Sequence, residues 1–178
     1  MHSSAKGYKG VTSTNPYAGF VAGRDPAQLV KEFPQRLSDV VSRLGPAGMG
    51  RSLAPGKWTA SEILCHLADT EIAFSFRLRQ ALAEDGHVIQ PFDQARWASQ
   101  YPFISGEDAL CAFVALRKWN GILLDRTSPE EWDRPVTHPE RGKMTFRIVV
   151  ETMAGHDLNH LAQLEKIEAS APVGVKQV

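Results

Sequence analysis

Two cysteines in 178 residues leave no material for a disulfide scaffold, and Cys65 and Cys111 lack the CxxC spacing of a zinc ribbon or redox motif. Each lies in an apolar stretch, which predicts buried, reduced thiols. Net charge is missing as well: 20 Lys and Arg offset 20 Asp and Glu. Proteins that hold nucleic acid or anionic membrane rely on an excess of basic residues, so neither is expected as a partner. No apolar run approaches the roughly 20 residues that span a bilayer. The segment Met1–Gly7 has no hydrophobic signal region, so a cytoplasmic location is expected. There is no Gly-rich phosphate loop, no nucleophile elbow and no Ser/His/Asp set. Strand alternation and internal repeats are almost absent too.

What is present is helical periodicity. Hydrophobic residues make up 43% of the chain, enough for a core, and the length suits one domain at about 150 residues per domain. Residues 1–24, rich in Gly, Ser, Thr and Tyr, read as an N-terminal arm that is disordered or laid over the surface. Asp25-Pro26 opens a helix, because Asp accepts N–H bonds as an N-cap and Pro suits the first turn. Leu29, Val30, Phe33, Leu37, Val40, Val41 and Leu44 form its apolar stripe. Pro34 is expected to kink or split this helix and Gly45-Pro46 to end it.

Thr59 and Glu62 have capping-box spacing and open a second helix reaching about Glu84. A short helix is expected over Gln94–Gln100. A third long helix runs from about Glu107 to Arg126, with Leu110, Phe113, Val114, Leu116, Trp119, Leu123 and Leu124 apolar. After a proline-rich loop over 128–143, Thr145 is placed to cap a last helix reaching about Ala169. Residues 25–170 therefore predict an all-α four-helix bundle with long crossover loops, and 171–178 a tail.

The last helix carries Gly155-His156-Asp157-Leu158-Asn159-His160. Residues at i and i+4 share a face, so His156 and His160 can reach one ion. They belong to the stripe Val149, Met153, His156, His160, Leu164, Ile167, and so replace apolar residues on the core side. His66 holds the equivalent position on the second helix. Buried imidazoles need partners, since an unsatisfied buried polar group costs about 1–3 kcal/mol. A divalent ion would satisfy all three, and three imidazoles with a fourth position open is a catalytic rather than structural zinc pattern. Hydrogen-bonded core histidines without metal are the alternative. Imidazole also suits nickel, copper and iron.

Asp69, three residues after His66, is a candidate base or ring-orienting acceptor, while Glu62 is engaged in its cap. Asp157 has the same possible part beside His156, but it is not the Glu that the zincin motif HExxH needs as a base. Arg77, three turns beyond His66, is a candidate for binding an anionic group near the metal. For Arg77, Arg79, Arg96 and Arg117 alike, pairing with a carboxylate is the ordinary alternative. Trp97 and Phe92 are expected to pack the open end of the bundle or to wall a pocket. His138 reads as a surface loop residue, and His87 and His2 have no claim on the site.

Asn15-Pro16-Tyr17-Ala18-Gly19, Ala54-Pro55-Gly56-Lys57-Trp58, His66 to Glu71 with Arg77, Phe92-Asp93 with Trp97, and His156 to His160 together resemble the DinB-like (DinB/YfiT) superfamily over residues 15–168. The name does not denote the translesion polymerase. The resemblance implies a four-helix bundle of unusual helix order, often homodimeric, with a divalent metal such as zinc or nickel held by His66, His156 and His160. It further implies a metal-dependent enzyme acting on a small-molecule substrate. Such an enzyme activates either water, as a hydrolase, or a low-molecular-weight thiol, as an S-transferase. A non-enzymatic metal-binding stress-response dimer is the alternative.

Overall fold

In the computed structural model, which describes residues 15–170, four long helices pack as a bundle: α2 (Pro26–Met49), α3 (Ala60–Ala83), α5 (Gly106–Arg126) and α6 (Phe146–Ala169). Two short helices, α1 (Ala18–Val21) and α4 (Gln94–Ala98), and an antiparallel hairpin of β1 (Pro135–His138) and β2 (Gly142–Thr145) complete it. The tail at 171–178 and His2 lie outside the described residues. Among those described, no helix is long and apolar enough to cross a membrane.

The caps follow from sequence. Asp25 accepts from the Ala27 N–H at 2.9 Å, and Thr59 and Glu62 close the expected capping box. Ser105 accepts from the N–H groups of Glu107 and Asp108. Thr145 occupies the cap position of α6 but makes no capping bond.

In α2 the expected split at Pro34 does not occur, whereas the expected end at Gly45-Pro46 is met by a break in the helix. The helix passes through Pro34 and breaks at Gly45, whose backbone (φ 59°, ψ 177°) leaves the helical region ahead of Pro46; one further turn then runs to Met49. Pro34 lacks the N–H that the Val30 carbonyl would accept four residues back. That carbonyl instead accepts from Nη1 of Arg117 at 3.2 Å.

Two apolar clusters show the helix directions. One joins the start of α2 to the ends of α3 and α5 and the start of α6 (Leu29, Leu78, Leu124, Val150). The other joins the end of α2 to the starts of α3 and α5 and the end of α6 (Leu44, Leu64, Phe113, Leu164). Hence α2 and α6 run one way, and α3 and α5 the other. The neighbouring pairs are α2 with α6, α6 with α3, α3 with α5, and α5 with α2. Consecutive long helices α2 and α3 are thus diagonal, as are α5 and α6, so their connections cross the bundle.

Three further expectations change. In place of the 128–143 loop is a hairpin that runs on to Thr145; its three-residue turn Pro139–Arg141 uses Gly142 at φ 77°, a left-handed conformation that glycine adopts without strain. Cys65 is buried but Cys111 is exposed. It lies two residues past the buried Ala109, and two residues turn a helix about 200°. Trp119 is likewise exposed, with Arg79 over its ring at 5.9 Å, because α5 turns Arg117 and Asn120 inward instead.

A three-histidine candidate metal centre

Antiparallel α3 and α6 bring three imidazoles together between the apolar clusters. Nε2 of His66 lies 3.0 Å from Nε2 of His156, and a nitrogen of each of His66, His156 and His160 lies within 4.8 Å of the others. All three side chains are buried. No Asp, Glu, Cys or further His of the described residues joins the group.

The chemistry of this donor set fits a cation. Burial, followed by repulsion from His156 and His160, pushes the His66 pKa down to about 2. Burial and then His156 push that of His160 down to about 4. Both rings are therefore neutral at pH 7, with lone pairs available to a metal. Nδ1 of His160 faces Oε1 of Gln163 at 3.2 Å, which places the proton on Nδ1 and leaves Nε2 as the ligand atom. Nδ1 of both His66 and His156 is buried without a hydrogen-bond partner. Two nitrogens about 2.0–2.1 Å from one zinc at a tetrahedral angle would stand about 3.3–3.4 Å apart, close to the 3.0 Å separation of His66 and His156.

Aromatic rings wall the group. Trp58 lies 4.8 Å from the His66 ring and stacks on His160 at 6.5 Å between centroids. Tyr17 meets His156 edge-on at 5.5 Å, and Phe74 lies 6.2 Å from the same ring. Tyr17 belongs to residues 15–24, taken from sequence as an arm; this part of the arm packs through α1 onto α6. The contact requires Gly155, where an added Cβ would come within 2.6 Å of the Tyr17 Cβ. Trp58 sits just before the Thr59 cap, so the start of α3 aims it at the site.

Behind His156 is a buried ionic layer. Arg117 donates to both oxygens of Glu71, at 2.9 and 2.6 Å, and its Nη1 lies 2.8 Å from Asp157. Burial opposes the Arg117 charge, but Asp157 and Glu71 outweigh it and raise the pKa. Asn120 adds a 2.7 Å bond to Glu71. Asp157 also comes within 3.6 Å of Nδ1 of His156. The expected pairing of a bundle arginine with carboxylates is thus met by Arg117.

Asp69 stands apart from the imidazoles. Its neighbour is Tyr101, and burial raises its pKa while the tyrosine opposes the rise. Arg77 lies in a recess of about 270 Å³ that reaches His156. Phe92 walls that recess, and Trp97 packs on Phe92 at 4.7 Å. His138, expected on the surface, is buried in β1 and lines the same recess. His87 is buried too, with Nδ1 2.7 Å from Glu84. Sequence reasoning did not place Trp58, Tyr17 or Tyr101 at the centre. The aromatic flanks of the quoted motifs were the available signal for Trp58 and Tyr17.

The DinB superfamily model matches residues 29–164. The chain belongs to the DinB superfamily. A protein of Oceanobacillus iheyensis named "Putative metal-dependent hydrolase" is 31% identical over 140 residues, 78% of this chain and 81% of that protein. One of the same name from Geobacillus kaustophilus is 25% identical over 142 residues, covering 78% and 79%. Among solved structures, YfiT from Bacillus subtilis, described as "a probable metal-dependent hydrolase with an unusual four-helix bundle topology", aligns with a TM-score of 0.74 at 18% identity over 92% of this chain and 91% of that one. A mycothiol-dependent maleylpyruvate isomerase aligns at 0.63 with 17% identity, over 78% of this chain and 59% of its own. These two likenesses bear out the DinB-like bundle as a fold.

Proposed function

We propose that this DinB-superfamily chain is a metal-dependent hydrolase, with one divalent ion, zinc or nickel, held by His66, His156 and His160. The observation that carries this reading is three buried imidazoles with no fourth protein ligand among the described residues, one of them reaching an open recess. A site with three protein ligands keeps a position for water or substrate, whereas structural zinc sites are closed by four. When bound, such an ion supplies Lewis acidity and a water acidified toward neutral pH. Around it, Gln163 sets the His160 ring, Trp58 shields His66 and His160 from solvent, and the recess beside His156 admits the substrate. The names of the two sequence relatives support hydrolysis over thiol transfer.

Metal analysis of protein purified without chelator or polyhistidine tag tests the proposal. About one zinc or nickel per chain is expected, with loss of metal and of ester, amide or phosphoester hydrolysis in His160→Ala. Less than about 0.1 metal per chain, with no uptake of added zinc or nickel, would overturn it. Bound metal without turnover of any of these substrates would favour the structural ion. Turnover that requires an added low-molecular-weight thiol would move the assignment to S-transfer.

A further inference from the structure

Several arginines elsewhere in the bundle are paired with carboxylates: Arg43 with Glu168, Arg117 with Glu71 and Asp157, Arg134 with Asp85, Arg96 with Asp93, Arg147 with Asp133. The two that line the recess beside His156 are not. Among the described residues, neither Arg77 nor Arg141 has an acidic oxygen within salt-bridge distance. Arg77 is half-buried, its guanidinium 5.6 Å from the ring centres of both Phe74 and Phe92. Its one hydrogen bond is a long one, 3.4 Å to the Gln90 carbonyl, so most of its five N–H donors are unspent.

The hairpin brings Arg141 to the same recess, where its charge acts on that of Arg77. Burial, then the Arg141 charge, lowers the Arg77 pKa. His138 lines the recess beside them. Its Nδ1 accepts the Glu140 N–H at 3.2 Å, which leaves the ring proton on Nε2 as a further donor. Burial, then Arg141 and Arg77, holds the His138 pKa below its usual value, with Glu140 opposing. Glu140, exposed at the hairpin turn, is the one acidic residue of the lining. Two guanidiniums and a donor imidazole thus converge on about 270 Å³, room for about nine groups of water size at ~30 Å³ each.

We propose that this recess recognises an oxyanion, a carboxylate or phosphate group of a small substrate, held by Arg77 and Arg141 while the rest of the molecule reaches the three-histidine centre. The inference names the substrate class of the proposed hydrolase and rests on that reading. Guanidinium N–H forks match the paired oxygens of either group, and an entering anion removes the repulsion between the two cations. Arg77 and Arg141 are binding residues here, on a different helix turn and a different element from the metal ligands.

Calorimetric titration of the metal-loaded protein with succinate, inorganic phosphate and the neutral succinamide tests this, with Arg77→Gln and Arg141→Gln compared under the same loading. Succinate or phosphate should bind and succinamide should not. Each substitution should weaken the anion about tenfold or more while metal content stays at the wild-type level. Any contribution of the metal to anion binding is common to all three proteins, so the ratios isolate the arginines. Tighter succinate assigns a carboxylate, tighter phosphate a phosphoryl group. Arg77→Lys keeps the charge without the fork, and it should recover only part of the loss if a variant proves unstable. Unchanged anion affinity in both Gln variants, equal binding of succinamide, or no anion binding at all would overturn the inference. Absent metal with arginine-dependent anion binding would instead sink the hydrolase reading and leave an anion site.

Discussion

Arg117 donates from Nη1 to the Val30 carbonyl at 3.2 Å, the acceptor that Pro34 leaves without its helical partner. The same guanidinium holds Glu71 and Asp157 and lies 4.5 Å from the centre of the Phe113 ring. One side chain therefore ties α2, α3, α5 and α6 together at the level of the histidines. Its value lies in being complete, because a buried charge is costly once it loses its partners.

Arg117→Met should accordingly destabilise the fold by about 3–5 kcal/mol, since two buried carboxylates and a buried carbonyl lose their partner together. Urea denaturation of wild type and variant measures this. A loss under about 1 kcal/mol would show that the layer contributes nothing beyond its packing.

Gly155→Ala should release the segment around Tyr17 from α6, because the new Cβ would stand 2.6 Å from that of Tyr17. The cost is about 1–3 kcal/mol, the usual range for overpacking. Limited proteolysis near residues 15–24 should become faster. Unchanged cleavage would mean that the contact does not hold the segment.

Zinc or nickel should raise the melting temperature of wild type in a concentration-dependent way, since a ligand that binds only the folded state stabilises it by mass action. At a hundredfold excess over Kd the gain is about 2.7 kcal/mol. His66→Ala and His156→Ala should each abolish most of the shift. An undiminished shift would place the ion elsewhere.

The two thiols should differ in reactivity. Burial, followed by the charges of Asp69 and Glu62, pushes the Cys65 thiol up to about 11, while Cys111 is exposed. Alkylation at pH 8 should label Cys111 and spare Cys65, as mass spectrometry would show. The raised Cys65 pKa has a sign for stability too. Between the ordinary thiol value near 9 and about 11 the unfolded chain releases a proton that the folded chain keeps, so stability falls as pH rises through this window. Cys65→Ser should reduce that alkaline loss.

The helices were legible because their signals are local. Asp25 and the Thr59–Glu62 box cap within three residues, and the stripes of α2 and α6 repeat every three or four. The histidine trio was legible for the same reason: His156 and His160 are one turn apart, and His66 stands on an inward stripe. The helix is not split at Pro34, because the carbonyl of Val30 that it frees is answered by Arg117, 87 residues from Val30 in sequence. Cys111 and Trp119 misled because α5 has several apolar faces, and only packing chooses among them.

By itself, then, the sequence determined where helices start, which faces are apolar and which three imidazoles can share an ion. These depend on spacings of three or four residues along one chain segment. The tertiary structure alone decided that α2 and α3 are diagonal, that Asp157 pairs with Arg117, that Tyr17 and Trp58 wall the centre, and that Arg141 on a hairpin turn lines one recess with Arg77. Each of these joins residues from separate segments, where no local periodicity links them and only the packing of the bundle brings them together.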